Sequence, residues 1–126
     1  MNKLTLACAM ALLTAAMGAQ AHHSAAQFDF QKPVDLTGVV KEARFSNPHA
    51  KLVLEVTDDK RGTRDIEFEG HSRNNMYRQG FRPEMMKVGD KITIRIAPMR
   101  SGEDGGYVTA LITADGTKIG NITSAD

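Results

Sequence analysis

From Val34 onward, apolar residues recur at every second position, the period of a strand with one buried face. Residues 34–45 form the first such run, rich in Val, Leu and Thr, and Gly38 inside it predicts a bend or bulge. Asn47-Pro48 is a turn signal, after which residues 49–57 alternate again. Here Ala50, Leu52, Leu54 and Val56 form an apolar face, opposed by His49, Lys51, Val53 and Glu55. Residues 58–62 read as a hairpin loop and 63–69 as a third strand, with Ile66 and Phe68 inward and Asp65, Glu67 and Glu69 outward. The period then breaks. Ser72 is a suitable N-cap, residues 73–79 can make about two helical turns, and Gly80 is a natural stop. A connector over 81–90 leads to a strand at 91–98 with Ile92, Ile94 and Ile96 inward. A Gly-rich loop at 101–106, a strand at 107–114, an Asp115-Gly116 turn and a short strand at 117–119 complete the pattern.

Three strands, one short helix and two or three further strands is the element order of an OB-type barrel. Each strand has a single apolar face, and closing the sheet buries all of these faces together without leaving edges. The expectation is therefore an all-β chain, a small OB-like barrel of five to six strands over residues 34–126.

The residues ahead of the barrel change the picture. Lys3, an apolar run from Leu4 to Met17 and the exit Ala19-Gln20-Ala21 have the three-part form of a secretory signal peptide over residues 1–21. Cleavage after Ala21 would leave 22–33 as a polar leader, with Phe28 and Phe30 its only large apolar residues, and no membrane anchor. It would remove Cys8, the chain's one cysteine, which excludes thiol catalysis and thiolate metal sites. It would also remove Lys3, so that 15 Lys and Arg balance 15 Asp and Glu. A neutral chain without a basic block has no electrostatic footprint for nucleic acid. The expected location is periplasmic or secreted.

Processing would also create chemistry. A histidine at position one offers its α-amine and its Nδ1 to the same metal ion, and an amine with a pKa of about 8 gives up its proton readily on binding. A third nitrogen from another histidine would complete a copper-type histidine brace; His23 offers a square-planar alternative through the amine, its own amide and its ring. Within the barrel, a hairpin with Thr57 facing Thr63 would set Lys51 against Glu69, Val53 against Glu67 and His49 against His71. Facing residues have Cβ atoms about 4.5–5.5 Å apart, close enough for two imidazoles to share an ion. A slip of one step would bring Glu69 to His49 instead. The same register sets Glu55 against Asp65, a repulsive pair. The candidate metal ligands are thus His22, His23, His49, His71 and Glu69, with copper as the ion.

Plainer readings stand beside these. His22-His23-Ser24 can be a frayed terminus, His49 can simply follow a turn, and His71 can simply precede a helix cap. The stripe Asp65, Glu67, Glu69 fits a solvated face, and Met76, Met85, Met86 and Met99 fit core packing better than soft Cu(I) ligation. Ser24, Ser46, Ser72 and Ser101 lack the surroundings of a catalytic nucleophile.

The string His22-His23-Ser24, Phe28-Asp29, Pro33-Val34, Leu36-Thr37-Gly38-Val39-Val40 and Asn47-Pro48-His49, with Phe68-Glu69-Gly70, Val88-Gly89-Asp90 and Ala114-Asp115-Gly116, resembles a family of small secreted bacterial proteins known only as a domain of unknown function. The resemblance implies a periplasmic, β-rich domain, and it supplies no activity. It directs attention to His22, His23, Asn47, Pro48, His49, Glu69 and Gly70. Members tend to carry Trp after the Asn-Pro-His motif and after the helix-ending glycine; this chain has Ala50-Lys51 and Phe81 there and no Trp. Histidine at 71 is not part of that pattern. Two functions follow as expectations. One is a periplasmic copper carrier or accessory protein rather than a catalyst. The other is an OB-like module binding a peptide, glycan or envelope protein, its histidines incidental. An oxidase using the same copper would need a redox substrate that no motif names.

Overall fold

The computed structural model describes residues 25–122. Its six strands are β1 (Val34–Arg44), β2 (Lys51–Asp58), β3 (Gly62–Glu69), β4 (Lys91–Pro98), β5 (Gly106–Ile112) and β6 (Lys118–Ile119). They lie in the order β3-β2-β1-β4-β5-β6, and a parallel pairing of β3 with β5 closes the first five into a barrel. Helix α1 (Arg73–Arg78) follows β3, and a 3-10 turn at Pro83–Met85 lies within the connector to β4. The expected OB-like barrel of five to six strands is the observed architecture.

The apolar alternation explains the interior. Leu52, Leu54 and Val56 from β2, Ile66 and Phe68 from β3, and Ile92, Ile94 and Ile96 from β4 are all buried. Each contributes about 1.5–3 kcal/mol relative to exposure. Met76 of α1, Phe81 after Gly80, and Met86 fill the end of the barrel beneath the helix. Packing is therefore the role the structure gives Met76 and Met86.

Strand β1 serves two neighbours. Val34 to Val39 pair with β4, and Val39 to Arg44 pair with β2. The bulge lies between Val40 and Glu42, not at Gly38. Gly38 instead marks a close approach: a Cβ there would lie 2.7 Å from the Glu55 carbonyl oxygen. The strand can bend across both partners only where it carries no side chain.

The register of the β2–β3 hairpin is the one the loop predicts, with Thr57 opposite Thr63, Glu55 opposite Asp65, Val53 opposite Glu67 and Lys51 opposite Glu69. The threonine hydroxyls hydrogen-bond across the pair at 2.8 Å. The clash expected between Glu55 and Asp65 is relieved from β1. Lys41, at the bulge, sits 2.9 Å from Glu55, and the Glu55 and Asp65 carboxylates both hold its ammonium above its usual pKa.

The cap of α1 differs from expectation. Ser72 occupies the N-cap position, but its side chain makes no capping bond. The backbone N–H of Arg73 donates instead to Asn47 Oδ1, 3.1 Å away, from the turn before β2. Gly80 ends the helix as expected, at φ +97°, where an L side chain would be strained.

Candidate functional site

His49 and His71 are held by one cross-link between the ends of β2 and β3. The ladder is regular as far as Lys51 and Glu69. Beyond it, the Ala50 N–H donates to the His71 carbonyl at 2.8 Å, while the Gly70 N–H donates to the Ala50 carbonyl at 2.9 Å. Two residues of one strand thus face one of the other, a local irregularity of the bulge type. The Arg73–Asn47 bond and a Ser46 Oγ bond to the His49 carbonyl (2.9 Å) fasten the flanking turn. His49 and His71 do not continue the ladder as a facing pair. Glu69 reaches diagonally across it, placing Oε1 3.1 Å from His49 Nδ1. Lys51 makes the matching diagonal to Glu67 at 3.2 Å. Diagonal neighbours lie within reach of long side chains on a twisted ladder, and the same offset recurs in both pairs.

Barrel closure adds the third wall. The β3–β5 pairing consists of Glu69 beside Tyr107. The Tyr107 ring stands edge-on to His71, with centroids 4.9 Å apart. It also packs against Phe28 at 5.5 Å and Phe30 at 5.6 Å. Ala25, Phe28, Phe30, His49, Glu69, His71 and Tyr107 together line a hollow of about 220 Å³. Phe28 is buried there, whereas half of Phe30 remains exposed. Burial, then the charge of His49, lowers the His71 pKa from its usual 6.5, which favours the neutral, metal-ready imidazole. Burial, with a smaller push from the Glu69 carboxylate, raises the Tyr107 phenol to about 12.

The leader folds back to this end of the barrel. The Asp29 N–H donates to the Pro98 carbonyl at 2.8 Å, and the Arg100 N–H donates to the Gln27 carbonyl at 2.8 Å. Phe28 and Met99 form an antiparallel bridge between these bonds. The Arg100 side chain donates from Nε to the Ala26 carbonyl at 3.0 Å and faces Asp29 across 3.6 Å. Ala25, where the described chain begins, is consequently part of the hollow.

Of the five residues singled out from sequence, the fold brings together His49, Glu69 and His71; His22 and His23 lie outside the described residues, as does the expected signal sequence. Among the described residues, no three His, Cys, Asp or Glu side chains converge into a complete metal cluster. The closest pair, His49 Nδ1 and Glu69 Oε1, is in direct contact at 3.1 Å, the separation of an ion pair. The rest of the acidic stripe is occupied otherwise, Glu67 by Lys51 and Asp65 in the field of Lys41. Pattern reading did not single out Tyr107, Phe28, Phe30 or Arg100. Phe28 and Phe30 carried a usable signal, since two aromatics in a polar leader need a surface to cover. The positions of Tyr107 and Arg100 depend on closure and gave no such sign.

No curated protein and no solved structure matches the chain. The model of DUF6152, a family of unknown function, matches residues 9–109, which include His49, Glu69, His71 and Tyr107, and the chain belongs to that family.

Proposed function

We propose that the exported, processed protein binds one metal ion, best suited to copper, at the closed end of its barrel. It would serve as a carrier or accessory protein. His49 Nδ1 and Glu69 Oε1 supply a prearranged pair of donors, and the α-amine and ring of His22 supply a chelate, with His71 and His23 in support. The observation that carries this reading is the position of Ala25 in the same hollow as His49, Glu69 and His71. His22 is three residues earlier, and three residues span up to about 10 Å, enough to reach those side chains. Amine and imidazole nitrogens in a tetragonal set favour Cu(II), and the Glu69 carboxylate offsets the charge of the ion.

The test is expression with the natural leader, N-terminal mass analysis to verify His22 as the first residue, and titration with Cu(II). Binding of one equivalent tighter than micromolar is expected, weakened by His49→Ala and lost when one extra residue precedes His22. Absence of such binding, or equal binding with the amine blocked, refutes the reading.

A further inference from the structure

We infer that the hollow beside Tyr107 is a binding site for a small organic cation of the quaternary ammonium class. The inference goes beyond the copper reading and draws on no part of the chain terminus, since every residue that lines the hollow is a described one. Three of its walls are aromatic rings. The Phe28 and Phe30 centroids lie 6.4 Å apart with the rings at 81° to each other, and Tyr107 stands at 56° to Phe28 and 61° to Phe30. No two of them are stacked face to face, so ring faces remain available to an occupant. Phe30 is the most exposed of the three, at 49%, and an occupant of the hollow would cover it.

The walls carry a single carboxylate, Glu69, and no Lys or Arg. Glu69 and Tyr107 are the pair that closes β3 on β5, so one backbone pairing sets the acid beside the ring. A cation held there meets the negative ring faces and the carboxylate together. His49 Nδ1 lies 3.1 Å from Glu69 Oε1 with its side chain 45% exposed, so the carboxylate is shared with a group that water also solvates. The kind of cation follows from what the walls lack. A primary ammonium carries three N–H donors and would give up its hydration for one anionic acceptor among walls dominated by rings. A quaternary ammonium donates no hydrogen bond and spreads its charge over methyl groups, so ring faces replace its water at little cost. The volume, about 220 Å³, falls below the roughly 300–1,000 Å³ of pockets for drug-sized ligands and suits a head group of this size.

The experiment titrates the chain, expressed with its natural leader and treated with chelator, with choline, read by amide shifts in nuclear magnetic resonance. Two analogues are run beside it: ethanolamine, the primary ammonium, and the uncharged isostere in which a tert-butyl group replaces trimethylammonium. Saturable choline binding is expected, with shifts at the Glu69, His71 and Tyr107 amides. Choline should bind about 10-fold tighter than either analogue, within the range of a desolvated cation–π contact. Phe30→Leu keeps an apolar wall but removes the ring, and should weaken choline binding about 5-fold; Glu69→Gln should weaken it at least as much. Absence of choline binding, equal binding of either analogue, or unchanged affinity in Phe30→Leu overturns the inference. The titration is free of metal and so stands apart from the one with Cu(II). Choline binding without copper binding refutes only the copper reading, and copper binding without choline binding refutes only this one.

Discussion

Phe28→Ala tests whether the leader belongs to the barrel. The ring is almost fully buried, with 3% of its surface exposed, between Tyr107 and Phe30. Truncating a buried Phe costs about 3–5 kcal/mol, and sites that can collapse lie at the low end. Here the neighbouring Phe30 is half exposed and free to shift, so about 3 kcal/mol is the appropriate figure. The barrel closes through β3 and β5 without any residue of the leader. The loss should therefore appear as local opening of residues 25–29, not as global unfolding. At 1.4 kcal/mol per factor of ten, the opening equilibrium shifts by about 100-fold. Native-state hydrogen exchange reads this directly. The Asp29 and Arg100 amides, which bond across the leader, should exchange about 100-fold faster, while the Val40 amide, bonded to the Asp90 carbonyl, should keep its protection. A uniform loss of protection would show that the leader is part of one cooperative unit with the barrel. Unchanged exchange at Asp29 and Arg100 would show that Phe28 does not hold the segment. Either result refutes the argument.

Two further perturbations are specified by the structure. Asp35, bonded to Arg95, and Asp58 and Asp104, which share Arg64, all have carboxyl pKa values held below the usual 3.8 by hydrogen bonds. Lowered folded-state values mean that this stabilisation is complete only above about pH 5 and is lost progressively as pH falls through the unfolded and then the folded values. Thermal melting should thus fall modestly as pH drops below about 5, because these surface ion pairs are screened by solvent, and Asp104→Asn should flatten the fall; parallel profiles would exclude the network as its source. At the helix, Asn47→Ala should cost about 1 kcal/mol in urea unfolding, the usual worth of a capping side chain, and Ser72→Ala should cost clearly less. The reverse order would mean that the Asn47–Arg73 bond is not the operative cap.

The strand pattern, the hairpin register and the barrel were legible in the sequence because they depend on local periodicity and turn chemistry. Lys91–Pro98 alternates cleanly between Ile and polar residues, so even its bounds were evident. The Asp58-to-Gly62 loop length set Thr57 against Thr63, and from that pair every later partner on the ladder follows. That same register would set His71, not Glu69, opposite His49, so the contact with Glu69 was not legible from it. Ser72 misled because a capping residue in sequence is only one of the acceptors that can reach an unpaired helical N–H, and Asn47 arrives from 26 positions away. Gly38 marked the bend and not the bulge, because a missing side chain serves a bulge or a close approach equally well, and only the β2 backbone distinguishes them.

Tertiary structure alone decided where the leader goes and what surrounds the histidines. Barrel closure sets Tyr107 beside Glu69, and the leader then lays Phe28 and Phe30 against it. These contacts join segments about 40 to 80 positions apart, beyond the reach of any periodic signal. The local irregularity at Ala50 decided that Glu69, not His71, meets His49 Nδ1. Sequence alone determined the barrel and the donors available to it. Their association at one end follows from closing the sheet, because closure brings together the ends of strands that periodicity describes only one at a time.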